Sequence, residues 1–326
     1  MIPALAQALD GRGALLPVPA DDDRQATLLT ETLRAGEAVD DAVALVVSTS
    51  GSTGIPKGAL LSAAALHASA DATHDRLGGP GRWLLALPAY HVAGVQVLVR
   101  SLRAGTTPVA LDPGFDVSEL PSAVSALGPG RRYTSLVSVQ LAKILADPAA
   151  TEALAELDAV LIGGGPMPPG LGEKATAASI SVVRTYGMSE TSGGCVYDGT
   201  PLHGVRLRID DTGRISLGGP TLASGYRNPV DPSPFVDGWF VTDDIGAVDD
   251  SGVLRVLGRV DDAIATGGLK VLPALVESAV AGHPAIAECA VFGVPDDRLG
   301  QRVAIAVVLH PGAAAPTVAD LREHVS

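Results

Sequence analysis

Thr49-Ser50-Gly51-Ser52-Thr53-Gly54-Ile55-Pro56-Lys57-Gly58 follows an apolar, β-branched run (42–48) and precedes an Ala/Leu-rich segment (60–77). Together the three pieces predict a strand, a glycine-rich connection and a helix. Small and hydroxylated residues on such a connection expose consecutive backbone N–H groups, which can cradle phosphate oxygens. Ser52 and Thr53 add hydroxyl donors, and Lys57 adds a point charge. The order approaches a Walker A loop and then departs from it. Pro56 stands where the second glycine belongs, and Gly58 where the Ser/Thr magnesium ligand belongs. A generic P-loop NTPase is therefore disfavoured, and a phosphate loop of another kind is expected.

Outward from this stretch, short β-branched runs alternate with Ala/Leu-rich segments, the βαβ rhythm of an α/β domain. Strands are expected at 83–87, 107–111, 133–137, 158–162 and 181–185, with helices at 92–103, 117–127, 139–146 and 169–178. Beyond Tyr186 the segments shorten and turn signals recur (Asp211-Thr212-Gly213, Asp249-Asp250-Ser251-Gly252), which predicts antiparallel β structure. After Arg259 a small α+β unit is expected, with a helix near 273–281, strands at 286–294 and 303–309, and a helix starting near Thr317. The fold class is thus α/β. A large N-terminal domain of α/β layers covers 1–260 and includes a β-rich subdomain at about 187–257. A small α+β C-terminal domain follows over 261–326.

Composition narrows the function by exclusion. Of 326 residues, 47% are hydrophobic and 18% charged, so the chain is globular and long enough for about two domains. A net charge of −13 with no basic stripe argues against nucleic-acid partners. Two cysteines, Cys195 and Cys289, make neither a disulfide framework nor a zinc pattern, which suits a reduced, cytoplasmic protein. The N-terminus lacks a basic region followed by an apolar core, and no apolar stretch is long enough to span a bilayer, so neither a signal peptide nor a membrane partner is expected. His67, Asp71 and His74 share one predicted helix face without a convincing third ligand, and a solvated face is expected there rather than zinc. Gly187-Met188-Ser189-Glu190-Thr191 fails as a nucleophile elbow because Thr191 replaces the second glycine.

Ser50–Gly58 resembles the phosphate loop of the adenylate-forming acyl-CoA synthetases, and further motifs follow in that family's order. Pro88-Ala89-Tyr90-His91-Val92-Ala93-Gly94 is similar to its acyl-pocket His motif, and Gly163-Gly164-Gly165-Pro166-Met167 to its adenine-pocket turn. Tyr186-Gly187-Met188-Ser189-Glu190-Thr191 resembles its Tyr-Gly-x-Thr-Glu motif, and Gly238–Gly246 its Gly-Trp-Phe-x-Thr-Gly-Asp-x-Gly. Gly258-Arg259-Val260-Asp261-Asp262 resembles its hinge, and the likeness continues through Gly267-Gly268-Leu269-Lys270. It spans roughly 42–326.

The resemblance implies ATP, Mg²⁺ and CoA as partners of a small carboxylic acid. Thr49–Gly54 and Lys57 would hold phosphate, and Gly163, Gly164, Gly165, Tyr186 and Gly187 would hold adenine. Ser189, standing where the family has Thr, would reach a phosphate, and Glu190 would bind magnesium. Asp244 and Arg259 would contact ribose. His91 would line the acid pocket, Asp261 would be the hinge, and Gly268 and Lys270 would face CoA. Within this family the short stretch before the loop, the Pro88–Gly94 motif and the segment 134–141 are most similar to the actinobacterial o-succinylbenzoate–CoA ligases of menaquinone synthesis. Another acid, or a nucleotide-binding module with weak adenylation, are the alternatives. Two departures stand out. Asp243 replaces a family Gly. The family's Pro-Lys-Thr-x-x-Gly-Lys motif has no counterpart after Lys270, so the resemblance implies a truncated C-terminal domain. A homo-oligomer is an open expectation.

Overall fold

The structure, a computed structural model, describes residues 1–49 and 55–325. It divides into two compact units: Met1–Leu207 with Leu217–Val241, and Arg208–Ser216 with Thr242–Ser326. The larger unit opens with α1 (Ile2–Leu9) and α2 (Asp23–Thr32), the latter capped by Asp22, whose side chain accepts from Gln25 N. The buried strand β1 (Val43–Val47) returns antiparallel as β2 (Ala59–Ser62), and α3 (Ala63–Arg76) starts at once, with Ser62 as its cap. The glycine-rich connection therefore joins two strands, and the expected helix begins three residues later. Leu60 and Leu61 read as helical by composition, but pairing with Val46 and Leu45 claims them for the sheet.

The expected alternation then follows: β3 (Arg82–Leu85), α4 (Val92–Arg103), β4 (Val109–Ala110), α5 (Leu120–Ala126), β5 (Arg132–Val137), α6 (Ser138–Leu145), α7 (Pro148–Ala155), β6 (Ala159–Gly163), α8 (Leu171–Ala177) and β7 (Val182–Met188). Pro121 lies in the first turn of α5, where its missing N–H costs nothing, so it starts this helix rather than breaking it. β8 (Gly193–Tyr197) and β9 (Thr200–Pro201) close a sheet of order β4-β3-β5-β6-β7-β8-β9, whose first five strands are parallel. Both faces are covered, which explains the near-continuous apolar runs. Leu84, Leu136, Val160 and Ile162 pack against residues of α5–α8, while Trp83, Tyr133 and Leu161 join Val97 and Tyr197 on the other face.

The turn-rich region forms an antiparallel sheet from β10 (Arg206–Ile209), β11 (Arg214–Gly218), β12 (Phe235–Val236), β13 (Trp239–Val248) and β14 (Leu254–Arg259). The Gly258–Asp262 turn lies within the smaller unit. There β15 (Ile264–Thr266), β16 (Leu269–Val271), α9 (Pro273–Val280), β17 (Ile286–Asp296), β18 (Gly300–Leu309) and α10 (Val318–His324) complete the chain, with strand order β16-β15-β18-β17. Among the described residues no helix is long and apolar enough to cross a membrane.

Candidate active site

Parallel strands present their carboxyl ends on one side, and open α/β sheets bind ligands there. β3 leads into Pro88–Gly94, β6 ends at Gly163, and β7 carries Tyr186 and stops just before Ser189 and Glu190. Motifs far apart in the sequence are thus delivered to one edge of one sheet.

Glu190 sits in a 3-10 turn, Ser189–Thr191. The Thr191 hydroxyl accepts from Met188 N at 3.0 Å and donates to Gly193 O at 2.8 Å. Ser192 then takes a left-handed backbone, φ 55°, which costs a non-glycine residue of order 1 kcal/mol. Three buried bonds offset that cost. Gln96 Nε2 and Ser69 Oγ donate to its carbonyl at 2.7 and 3.0 Å, and its own hydroxyl donates to Thr221 O at 2.8 Å. The turn is fixed from α3 and α4. Glu190 itself is 8% exposed, and its Oε1 accepts the Tyr226 hydroxyl at 2.7 Å.

Lys57 stands over the same ring, its Nζ 5.3 Å from the Tyr226 centroid. Backbone pairing puts it there: Asn228 N donates to Lys57 O at 2.9 Å, Arg227 N to Gly58 O at 2.7 Å, and Ala59 bridges Tyr226. Gly58 has φ +72°, and a Cβ would lie 2.6 Å from Leu33 Cδ2. Arg227 anchors this segment by donating to the carbonyls of Leu33 and Ala38 beyond α2. Ser50–Gly54 of the expected phosphate loop lie outside the described residues. Thr49, at its start, has a buried Oγ1 with no partner among the described residues, a donor suited to an anion.

The glycine turn and Tyr186 lie at the ends of the neighbouring strands β6 and β7. A Cβ on Gly163 would lie 2.4 Å from Thr185 Oγ1, so β6 approaches β7 closely only because that side chain is absent. Gly164 and Gly165 continue the turn, and Tyr186 and Gly187 follow Thr185 on β7. His91 caps α4 without a side-chain bond, its ring 4.4 Å from that of Tyr90. Although its surface is largely open, neighbouring atoms desolvate the ring enough to lower its pKa.

In the smaller unit Asp244 is buried and lies directly opposite Arg259 across β13 and β14. The Arg259 guanidinium is 3.8 Å from Asp243, 3.8 Å from Asp244 and 3.9 Å from Asp261. Asp243 is held from its other side by Arg214, which supplies the charge balance that a Gly there would not need. Gly268 and Lys270 belong to the exposed β15–β16 hairpin.

The His67–Asp71–His74 face of α3 is solvated only in part: Asp71 stays half exposed, whereas His74 does not. α3 packs against α4 and β8, so His74 is buried and accepts from Trp83 Nε1 at 3.3 Å, and Asp71 is gripped by both arms of Arg103 at 2.7 and 2.9 Å. Burial pushes the His74 pKa down to about 4. Burial also pushes the Cys195 thiol up to about 12, so it is no nucleophile. Tyr226 and Gln96 were not legible as site residues. Tyr226 lies in a Gly-Tyr-Arg-Asn segment with no phosphate pattern, and its one signal is its rarity as one of 5 tyrosines.

Comparison with known proteins settles the family. The profile of the AMP-binding enzymes matches residues 9–227, and that of their C-terminal domain matches 275–326. The chain belongs to the AMP-binding enzymes. It is 63% identical to a probable 2-succinylbenzoate–CoA ligase of Mycobacterium tuberculosis, covering 100% of this chain and 86% of that one. A 2-succinylbenzoate–CoA ligase of Bacillus cereus is 34% identical over 82% of this chain and 60% of its own length. Among solved AMP-binding enzymes, o-succinylbenzoate CoA synthetase (MenE) from Bacillus subtilis in complex with ATP and magnesium ion gives a TM-score of 0.74 at 28% identity, covering 98% of this chain and 74% of that chain. ATP-bound MatB from Rhodopseudomonas palustris gives 0.75 at 27% identity, over 89% and 62%.

Proposed function

We propose that this AMP-binding enzyme is an acid–thiol ligase that activates 2-succinylbenzoate with ATP and transfers it to CoA, in menaquinone synthesis. The observation that carries the reading is the likeness to the mycobacterial ligase along the whole chain. In the first half-reaction a carboxylate oxygen attacks the α-phosphorus of ATP, and pyrophosphate leaves. In the second the CoA sulfur attacks the acyl carbonyl, and AMP leaves. A carboxylate is already a nucleophile at pH 7, so the first step needs positioning and charge neutralisation rather than a base.

The residues present fit magnesium: Glu190 offers a buried, hard carboxylate that accepts the Tyr226 hydroxyl, and Lys57 stands over the face of the same ring. Bound there, the ion would neutralise phosphate charge. Lys57, Thr49 and Ser50–Gly54 are assigned to phosphate, Ser189 to the same group, and Gly163, Gly164, Gly165, Tyr186 and Gly187 to adenine. His91 is assigned to the acid pocket. Its lowered pKa favours a neutral ring at pH 7, suited to donating one hydrogen bond to an acid or keto oxygen. Asp244 and Arg259 are assigned to ribose, Asp261 to a hinge between domains 1–260 and 261–326, and Gly268 and Lys270 to CoA. A cytoplasmic homo-oligomer completes the proposal.

Pyrophosphate release measured against a panel of carboxylic acids tests it. Turnover with 2-succinylbenzoate well above that with benzoate or acetate is expected, together with thermal protection by the acid plus a non-hydrolysable ATP analogue. Equal turnover across the panel would overturn the substrate, and no release with any acid would favour a binding module.

A further inference from the structure

We propose that Tyr226 is a positioning residue of the metal site: its hydroxyl occupies Oε1 of Glu190 and leaves Oε2 as the single oxygen for a divalent cation. The proposal rests on reading Glu190 as the magnesium ligand. Oε1 accepts the Tyr226 hydroxyl at 2.7 Å, a short bond to a charged acceptor, while Oε2 accepts none among the described residues. The same ring carries Lys57 on its face at 5.3 Å, a cation–π distance. Among the described residues Lys57 and Glu190 form no direct ion pair. Tyr226 therefore separates a cation and a carboxylate that would otherwise neutralise each other, and both charges stay available to a metal–triphosphate.

Occupying one oxygen has a chemical consequence. Mg²⁺ is small, octahedral and content with one carboxylate oxygen, whereas Ca²⁺ takes more ligands at longer distances and often grips both oxygens of a carboxylate. A hydroxyl fixed on Oε1 disfavours the bidentate grip and so favours Mg²⁺. The ring position is itself secured, by the Ala59–Tyr226 bridge and by an edge contact with Phe235 at 5.3 Å, so removing the hydroxyl alone leaves the packing in place.

The test compares the full chain with its Tyr226→Phe variant. Binding of a non-hydrolysable ATP analogue is titrated calorimetrically against Mg²⁺ and against Ca²⁺, alongside thermal melting and the KM for the acid. The variant is expected to need roughly tenfold more Mg²⁺ for half-maximal analogue binding, and to lose most of its preference for Mg²⁺ over Ca²⁺. Its KM for the acid should barely change, and its melting temperature should fall by no more than the loss of one hydrogen bond accounts for. Unchanged metal titrations in the variant, or a parallel loss with both ions accompanied by a larger fall in melting temperature, would overturn the positioning role. Metal-independent analogue binding by the unaltered chain would instead overturn the reading of Glu190 beneath it.

Discussion

Gln96 Nε2 donates to the Ser192 carbonyl at 2.7 Å and so ties α4 to the turn that presents Glu190. α4 also begins at His91, so one helix serves the proposed acid pocket at its start and the proposed metal turn one turn later. Gln96→Leu keeps the bulk and removes the donor. It is expected to cost about 0.5–1.5 kcal/mol of stability, since the buried Ser192 carbonyl loses one of two donors and keeps Ser69 Oγ, and to slow adenylate formation. Denaturant unfolding and pyrophosphate release read the two effects. A normal rate would mean that Ser69 and Thr221 suffice to hold the turn.

Lys57→Ala and Glu190→Ala are each expected to weaken binding of the ATP–magnesium complex. A charge-assisted contact contributes roughly 1.5–3 kcal/mol, a ten- to hundredfold change in affinity. Calorimetric titration with a non-hydrolysable analogue measures it. Unchanged affinity in both variants would remove the phosphate site from this edge of the sheet.

Gly163→Ala places a methyl 2.4 Å from Thr185 Oγ1, on a rigid strand that cannot easily retreat. Overpacking of this kind costs typically about 1–3 kcal/mol. A lower melting temperature is expected with a raised KM for ATP, because the displaced turn is the proposed adenine wall. Gly163→Ala combined with Thr185→Ser still leaves the clashing oxygen, whereas combination with Thr185→Ala removes it and should restore much of the stability.

The buried His74 sets a pH dependence. Its folded pKa, about 4, lies below its ordinary value, so the folded state resists protonation that the unfolded chain accepts. Stability is therefore complete above about pH 6.5 and falls as pH drops toward 4, with little further loss from this group below that. Between pH 7 and pH 5 the loss is expected to be roughly 1–2 kcal/mol, and His74→Leu should not show it. Urea unfolding of both proteins at the two pH values decides the matter.

The alternation of strands and helices was legible because both faces of the parallel sheet are covered, leaving uninterrupted apolar runs such as Ala159–Gly163. Three helices carry no such signal. α1 and α2 precede the first motif, and α7 follows α6 so closely that Asp147-Pro148, in fact its cap and first residue, reads as a loop. The site divided along the same line. Lys57, Glu190 and the Gly163 turn are chemically explicit residues in ordered motifs, whereas Tyr226 and Gln96 act through neighbours distant in sequence. Tyr226 meets Glu190 only because Ala59 pairs with it across the sheet edge. The solvated face expected around His74 failed for a related reason: a helix with small polar residues on several sides gives no sign of which side its neighbours will cover.

The supply of lysines sets a last expectation. Negative charge builds on the α-phosphate as the carboxylate attacks, and the family's C-terminal lysine motif supplies the countercharge. Residues 1–326 hold Lys57, Lys143, Lys174 and Lys270 and none after it. Lys57 is committed beside Tyr226 and Glu190, and Lys270 lies on the exposed β15–β16 hairpin assigned to CoA. Loss of one transition-state charge contact costs about 2.7–4 kcal/mol, or two to three decades in rate. Residues 1–326 are therefore expected to bind ATP and acid and to adenylate slowly, while converting preformed acyl-adenylate to thioester at an ordinary rate. Each half-reaction is measured separately on this chain and on this chain extended at its C-terminus by a segment that carries the family's lysine motif. Equal adenylation by the two would show that another cation, with Lys57 first in line, already serves the α-phosphate.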